Sequence, residues 1–284
     1  MQPPLLSVNM MGGLGNQLFQ IAAGYAYAQE HGYRLVLPKE WAHHSDRRPV
    51  WNGYLDVNQW NTISNEEYSR IPWALVAEEG FKFRPLSPPQ YNNNYRLFGY
   101  FQSSLYFNKY KDILCSLLKV PDSLLAKARV ILDYMAVKNP DGWIGAHVRR
   151  GDYVQCADYH LVCTPEYYRG ARAEICKTTG NRAVCWITDD TNWVRANLFQ
   201  DGDKIISGDP LVDFAILSQF RYMILSNSSY SWWGAWLNTC EYKKQIICCP
   251  DKWFGPAGPQ DYETVFESDW LRIDTTSGKR LAQD

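Results

Sequence analysis

From residue 142 to residue 250 short apolar runs recur at a regular interval, and a turn or helix signal follows each one. Trp143-Ile144, Ala183 to Ile187, Lys204 to Ile206, Tyr222 to Leu225 and Gln245 to Cys249 read as strands. Helix signals separate them. Thr164 caps a helix with Pro165 at its first position, running to Thr179 ahead of Gly180. A second helix starts near Asn192, and Asp209 with Pro210 opens a third that carries Asp213. A Trp-rich helix over Trp232 to Leu237 reads as core packing. Strands alternating with helices specify a parallel α/β sheet.

The polar motifs fall just after these strands. They are His147-Val148-Arg149-Arg150-Gly151-Asp152-Tyr153, Thr188-Asp189-Asp190 and Asn227-Ser228-Ser229. In open parallel sheets the ligand lies outside the carboxyl ends of the strands, so the three motifs should converge on one crevice. Two adjacent guanidiniums present planar donor forks that match a diphosphate. Gly151 allows a sharp turn or a close approach to a ligand. An Arg–Asp network that merely holds a loop accounts for the same charges equally well.

The first half opens with a β-turn-α-β unit. Leu5 to Val8 is a strand, Gly12-Gly13-Leu14-Gly15-Asn16-Gln17 a glycine turn, and Leu18, Ile21, Ala22, Tyr25 and Ala28 recur at helical spacing up to Gly32. Tyr33 to Leu37 is a second strand, stopped by Pro38. Backbone N–H groups of such a turn suit an anion, although the spacing is not that of a dinucleotide fingerprint. A turn needed only for packing fits as well. Residues 40–95 are less regular and hold Trp41, Trp51, Tyr54 and Trp60, with a capping box from Ser64 to Glu67. A strand over Tyr95 to Phe101 and helices over Tyr106 to Leu118 and Asp122 to Lys138 follow. The turn Asn139-Pro140-Asp141-Gly142 is the expected boundary between an N-terminal α/β domain, 1–140, and a C-terminal Rossmann-like domain, 141–284. Two such domains facing a cleft suit one donor and one acceptor.

A net charge of -1 disfavours nucleic acid or an anionic membrane as partner. No apolar run reaches membrane-spanning length. The start, Met1-Gln2-Pro3-Pro4, lacks the basic flank and apolar block of a signal peptide. A cytoplasmic protein is expected, or a Golgi-luminal one only if an N-terminal anchor had been removed. The eight cysteines form no C-x-x-C pair. Cys185 and Cys248 sit in apolar runs as small hydrophobes. Cys156, His160 and Cys163 form the one cluster of metal-like type and show no evident fourth ligand. Asp189-Asp190 are adjacent and lack the spacing of a D-x-D metal motif. No metal or other cofactor is expected.

Five blocks carry a resemblance. They are Gly12-Gly13-Leu14-Gly15-Asn16-Gln17-Leu18-Phe19-Gln20, Gly99-Tyr100-Phe101-Gln102-Ser103, His147 to Tyr153, Thr188-Asp189-Asp190, and Asn227-Ser228-Ser229-Tyr230-Ser231-Trp232-Trp233-Gly234-Ala235-Trp236. Together they resemble the α1,2-fucosyltransferases of glycosyltransferase family eleven, over residues 10 to about 254. His147-x-Arg149-Arg150 and Asp213-x-x-x-Leu217-Ser218-Gln219 are also similar to α1,6- and protein O-fucosyltransferases. The resemblance implies a GT-B-like fold of two Rossmann-type domains. It implies transfer of L-fucose from GDP-β-L-fucose to O2 of a terminal galactose of a glycan, with inversion and without metal.

It also implies residue roles. Arg149 would grip the leaving diphosphate and Asn16 would act in catalysis. Gly13, Gly15, His147, Arg150, Asp152, Thr188, Asp189, Asp213, Ser228 and Ser229 would bind the donor, with His147 and Asp213 at guanine. Tyr100, Gln102 and His160 are the acceptor candidates, with Trp41, Trp51 and Trp60 as further rings able to stack on galactose. Asp152, Asp158 and His160 have the chemistry of a general base, and a diphosphate that takes the proton itself would need none. A protein O-fucosyltransferase, or a protein that binds glycan or nucleotide without turnover, are the alternatives. The Ser-Tyr-Ser-Trp-Trp-Gly block weighs against the first. The intact Arg149, Asp213 and Asn16 weigh against the second.

Overall fold

The computed structural model describes residues 3–39, 51–90, 93–239 and 244–282, so Trp41 lies outside the described residues. The chain forms two compact units, one of Met1–Lys119 with Asp261–Val265, the other of Val120–Gln260 with Phe266–Asp284. The boundary therefore lies about 20 residues before the expected turn at 139–142.

In the first unit, β1 (Leu5–Val8) leads through the glycine turn into α1 (Leu14–His31), which Gly32 ends with a φ of 72° and an N–H donated to Ala28. The single strand expected over Tyr33 to Leu37 is divided. β2 (Arg34–Leu35) pairs with β1, whereas β3 (Leu37–Pro38) pairs with β4 (Thr62–Ile63) after the short helix α2 (Trp51–Tyr54). The chain changes partner at Val36, whose N–H still bonds Leu6 while that of Leu37 bonds Asn61. α3 (Asn65–Arg70) carries the expected capping box, with Ser64 and Glu67 bonding reciprocally. β5 (Trp73–Ala77) and β6 (Asn94–Phe98) complete a parallel sheet in the order β2-β1-β6-β5. The helix expected over 106–118 breaks into 3-10 turns before α4 (Lys111–Leu117).

The second unit begins with α5 (Asp122–Tyr134). Its buried Leu124, Ala128 and Leu132 recur at i, i+4 and i+8 on one face. There follow β7 (Ile144–Val148), α6 (Gly151–Gln155), α7 (Pro165–Thr179), β8 (Val184–Thr188), α8 (Thr191–Asn197) and β9 (Lys204–Ile206). α9 (Pro210–Leu217), β10 (Tyr222–Ile224), α10 (Ser229–Asn238), β11 (Ile246–Pro250) and β12 (Leu271–Ile273) close the unit. α5 packs against α9, which is why the boundary precedes it.

All six strands are parallel, in the order β12-β11-β10-β7-β8-β9. The chain builds outward from β7 to β9 and then returns to the other side of β7. The two directions part between β7 and β10, the point at which doubly wound sheets hold their ligands. Gly145 lies in β7 because a Cβ there would sit 2.4 Å from the ring of Phe220. Trp232, Trp233 and Trp236 of α10 are fully buried, as expected for a core helix.

One buried ion pair ties the sheet to α7. Asp203, 3% exposed, accepts from both Nη atoms of Arg172 at 2.9 and 3.1 Å. It also accepts from the Val184 and Gln200 N–H groups and from Trp186 Nε1. Removing the carboxylate leaves a buried guanidinium with only the Arg182 carbonyl as acceptor, and three further donors unpaired. We expect Asp203→Ala to lose about 3–5 kcal/mol of stability in urea unfolding, and a loss below about 1 kcal/mol would contradict this account of the network.

Candidate functional site

The second unit gathers its polar residues at the carboxyl ends of β7, β8 and β10. β7 delivers Arg149 and Arg150, and β8 delivers Asp189 and Asp190. Asp189 accepts from the Arg150 backbone N–H at 2.8 Å and pairs with Arg149 Nη1 at 2.8 Å. Both of its oxygens thus hold the arginine loop. Gly151 is needed beside it, since a Cβ would lie 2.8 Å from Asp189 Oδ2. Arg149 Nη2 also meets Asp152 Oδ1 at 2.6 Å. Arg150 Nε bonds Asp190 at 3.1 Å, and its guanidinium lies 4.1 Å from the centre of the Trp193 ring. Arg150 is the more buried of the two, and Arg149 is one-third exposed. Asp190 in turn caps α8 by accepting from Trp193 N, and Thr188 Oγ1 accepts from Asp190 N. Thr188, Asp189 and Asp190 are thereby engaged with this loop and with the α8 cap.

Across the switch point, His147 Nδ1 meets Ser226 Oγ at 2.8 Å. Burial, reinforced by the Arg149 charge, drives the His147 pKa down to about 3, so the imidazole is neutral. The ring lies 5.0 Å from that of Tyr230, which packs edge-on against Phe214 and donates its hydroxyl to the Pro210 carbonyl at 2.5 Å. Tyr230 thus connects His147 to the α9 segment that carries Asp213. Asp213 is 7% exposed. Its Oδ2 accepts from Gly208 N at 2.8 Å, while Oδ1 is buried without a partner. Burial raises the Asp213 carboxyl above its usual range against the pull of that N–H group. A buried carboxylate oxygen left unmatched is costly unless a ligand supplies a donor.

Ser228 caps α10 by accepting from Tyr230 N, so Ser228 and Ser229 stand at the N-terminus of that helix, the end that favours an anion. Asn227 is committed elsewhere, with Nδ2 on the Trp253 carbonyl and Oδ1 taking Cys163 Sγ–H. Tyr153 closes over this end, 5.5 Å from Arg149 and stacked on His160 at 4.2 Å. Arg149, Arg150, Asp152, Asp189 and His147 are therefore brought together within one unit, and Asp213 is linked to them through Tyr230. Tyr230 was legible only as a core aromatic.

In the first unit the glycine turn sits at the carboxyl end of β1, and Tyr100 and Gln102 follow the adjacent β6. Gln102 Nε2 donates to Asn16 Oδ1 at 2.8 Å. Gly12, at φ 71°, makes room for that asparagine, since a Cβ would fall 2.1 Å from Asn16 Nδ2. Gly13 precedes α1 with nothing within 4 Å of where its Cβ would be, and Gly15 lies within the first turn of α1. Two glutamines fix the turn. Gln20 Oε1 accepts from Met11 N, and Gln17 joins Gly12 O to Trp51 N. Sequence reasoning placed both in the glycine block but gave neither a role. Their period in the apolar stripe of α1 marks them as buried, and a buried amide needs partners. Trp51 is wholly buried and so unavailable for sugar stacking, unlike Tyr100, which is exposed.

Among the described residues no group of three or more His, Cys, Asp or Glu side chains is placed to hold a metal. Of the possible zinc cluster, Cys163 is buried against Asn227 and His160 lies in the Tyr153 stack. No helix among the described residues is long and apolar enough to cross a membrane.

The profile of glycosyl transferase family 11 matches residues 5–274. The chain belongs to that family. It is 28% identical over 298 residues to an alpha-1,2-colitosyltransferase of Escherichia coli, covering 95% of this chain and 99% of the relative. It is 27% identical over 305 residues to the O-antigen biosynthesis glycosyltransferase WbnK of the same species, covering 93% and 99%. Rabbit (Oryctolagus cuniculus) galactoside alpha-(1,2)-fucosyltransferase 2 is 26% identical over 294 residues, covering 97% of this chain and 78% of the relative. Among solved structures, POFUT1 in complex with GDP superposes with a TM-score of 0.55 at 11% identity, over 87% of this chain and 97% of that one. The alpha-1,6-fucosyltransferase NodZ, co-crystallized with GDP, gives 0.50 at 14% identity, over 83% and 92%. These likenesses are of fold, and the chain has the mixed α/β, GT-B-like fold of those fucosyltransferases. It is a glycosyltransferase of family 11.

The neutral, buried His147 carries a pH consequence. Its folded pKa lies below its unfolded value of 6.5, so the unfolded chain takes up the proton first as pH falls. Stability is fully present above about pH 6.5 and should decline by roughly 1.4 kcal/mol per unit as acidification proceeds. Urea midpoints measured between pH 7 and pH 5 should show this slope in the wild type, and His147→Gln should remove most of it. An unchanged slope in the variant would contradict the assignment.

Proposed function

We propose that this family 11 enzyme moves L-fucose from GDP-β-L-fucose to O2 of a terminal galactose of a glycan, with inversion. The observation that carries the reading is the pairing, in one unit, of an arginine fork at the switch point with a buried carboxylate that has one unmatched oxygen. A guanidinium fork fits a diphosphate. The free Asp213 Oδ1, beside an Oδ2 already fixed by Gly208, fits the N1–H and N2–H donors of guanine. GDP in the bound neighbours and the names of the relatives support the same donor class.

In this scheme the galactose O2 attacks C1 of fucose as the C1–O bond to the β-phosphate breaks. The bonding pair leaves with GDP. Negative charge grows on the diphosphate and positive charge on the sugar ring. Arg149 stabilises the first, held by Asp189 at one nitrogen and free to exchange its exposed Asp152 partner for phosphate. Arg150 and the α10 N-terminus with Ser228 and Ser229 flank it, and neutral His147 lies on the path to Asp213. The acceptor proton is released to water on the face of the sugar opposite the departing diphosphate. Asn16, oriented by Gln102, aligns the reacting sugar. The guanidinium charge takes the place of a divalent cation, so the scheme needs no metal.

A colitosyl donor is the second reading, favoured by the relative of that specificity. Colitose is fucose without its 3-hydroxyl, so the diphosphate and guanine contacts would be the same.

Arg149→Ala should lower kcat by roughly 100- to 1,000-fold while leaving the urea midpoint nearly unchanged. Arg149→Lys should recover only part of the loss, because it restores charge without the fork. Near-normal turnover in Arg149→Ala would remove it from the leaving-group role. Asp213→Asn should weaken GDP binding about 10- to 100-fold by calorimetry. Wild-type affinity should fall as pH drops through the raised Asp213 pKa, because only the carboxylate accepts both guanine donors. The Asn variant should lack that step. Equal affinities for wild type and variant would place guanine elsewhere.

A further inference from the structure

Glu78 follows β5 in the first unit, beside the segment that follows β6. Its Oε2 accepts from two successive backbone N–H groups, Tyr100 at 2.8 Å and Phe101 at 2.9 Å. The approach is close enough to require glycine at 99, where a Cβ would fall 2.4 Å from Glu78 Cβ and 2.7 Å from Oε2. Phe101 has a φ of 53°, in the left-handed region that a residue with a Cβ rarely adopts. That conformation persists only where surroundings enforce it. The Glu78 carboxylate and the burial of the Phe101 ring, edge-on to Tyr106 at 5.3 Å, supply the enforcement. The next residue is Gln102, which grips Asn16.

We infer that Glu78 is a positioning residue for transfer, clamping the Tyr100–Phe101 backbone so that Gln102 holds Asn16 in its working orientation. This rests on the functional reading above. Glu78 is not assigned as a general base, since its Oε2 takes two backbone N–H groups and its Oε1 is buried. Burial also raises the Glu78 carboxyl above its usual value against the pull of the Phe101 and Tyr100 N–H groups. What the two N–H groups need at that position is an acceptor oxygen. A glutamine provides one.

The test is a kinetic cycle. Glu78→Ala should lower kcat roughly 10- to 100-fold, as small misplacements of a reacting group do, with GDP affinity by calorimetry unchanged. Glu78→Gln should recover turnover to within about threefold of wild type, because the acceptor oxygen remains. Glu78→Ala added to Asn16→Ala should cost little further, because both act through one group. Losses that multiply, a Glu78→Ala enzyme at wild-type kcat, or a glutamine variant as slow as alanine would each overturn the inference. Should Glu78→Ala fail to fold, Gly99→Ala drives a methyl against Oε2 with the carboxylate retained. It should show the same kcat loss, and normal kcat there would count against the clamp. Wild-type protein that transfers neither fucose nor colitose would sink the functional reading itself. The clamp is then read by amide hydrogen exchange at Tyr100 and Phe101, which should speed up in Glu78→Ala and, if unchanged, refutes it.

Discussion

Asp189 holds the arginine loop, and the arrangement of the candidate site depends on that contact. One carboxylate at the end of β8 fixes both a backbone N–H and a side-chain nitrogen of the neighbouring β7 loop. A guanidinium fixed in this way is preorganised, which is what stabilisation of developing charge requires. The second fork nitrogen meets Asp152, which sits on a short helix and is more exposed than Asp189.

The strand order explains why these groups meet. Because the sheet reverses between β7 and β10, the helices that follow these two strands diverge and leave a crevice. His147 and Ser226 bond across that reversal, and Tyr230 extends the contact to α9. The unmatched Asp213 oxygen is informative for this reason. It lies at the end of a packed path from the arginine loop, in a setting where an unpaired acceptor would otherwise be a defect.

Much of this was legible in the sequence because it is local. Helix caps at Ser64, Thr164 and Asp209 depend on neighbours two or three residues away and formed as expected. The βα rhythm after residue 142 also held through β11, anchored by the wholly buried, apolar β7 and β8, whereas β12, short and with Arg272 at its centre, was not expected. What escaped depends on distant partners. β5 is itself an apolar run, but Leu75 and Ala77 stay exposed and its place is decided by pairing with β6, about twenty residues on. The division of the strand at Val36 is decided by Leu6 and Asn61. The turn at 139–142 is real but lies inside the second unit, because α5 packs on α9. Within the candidate site the residue types were legible and their division of labour was not. Asp189 and Thr188 look like ligand groups in sequence, yet their partners here are Arg149, Arg150 and Asp190. Gln17, Gln20 and Glu78 look unremarkable, yet they fix the backbone on which Asn16 depends.

The central claim is that the arginine fork and Asp213 define a GDP-fucose site used for metal-independent transfer. A donor screen by mass spectrometry tests it most directly, with lactose as acceptor and excess EDTA. GDP-fucose, GDP-colitose, GDP-mannose and UDP-galactose would each be offered alone. The account predicts addition of one deoxyhexose from GDP-fucose, with the new linkage at O2 of galactose by NMR. Transfer from UDP-galactose, or transfer from GDP-fucose that EDTA abolishes, would contradict it.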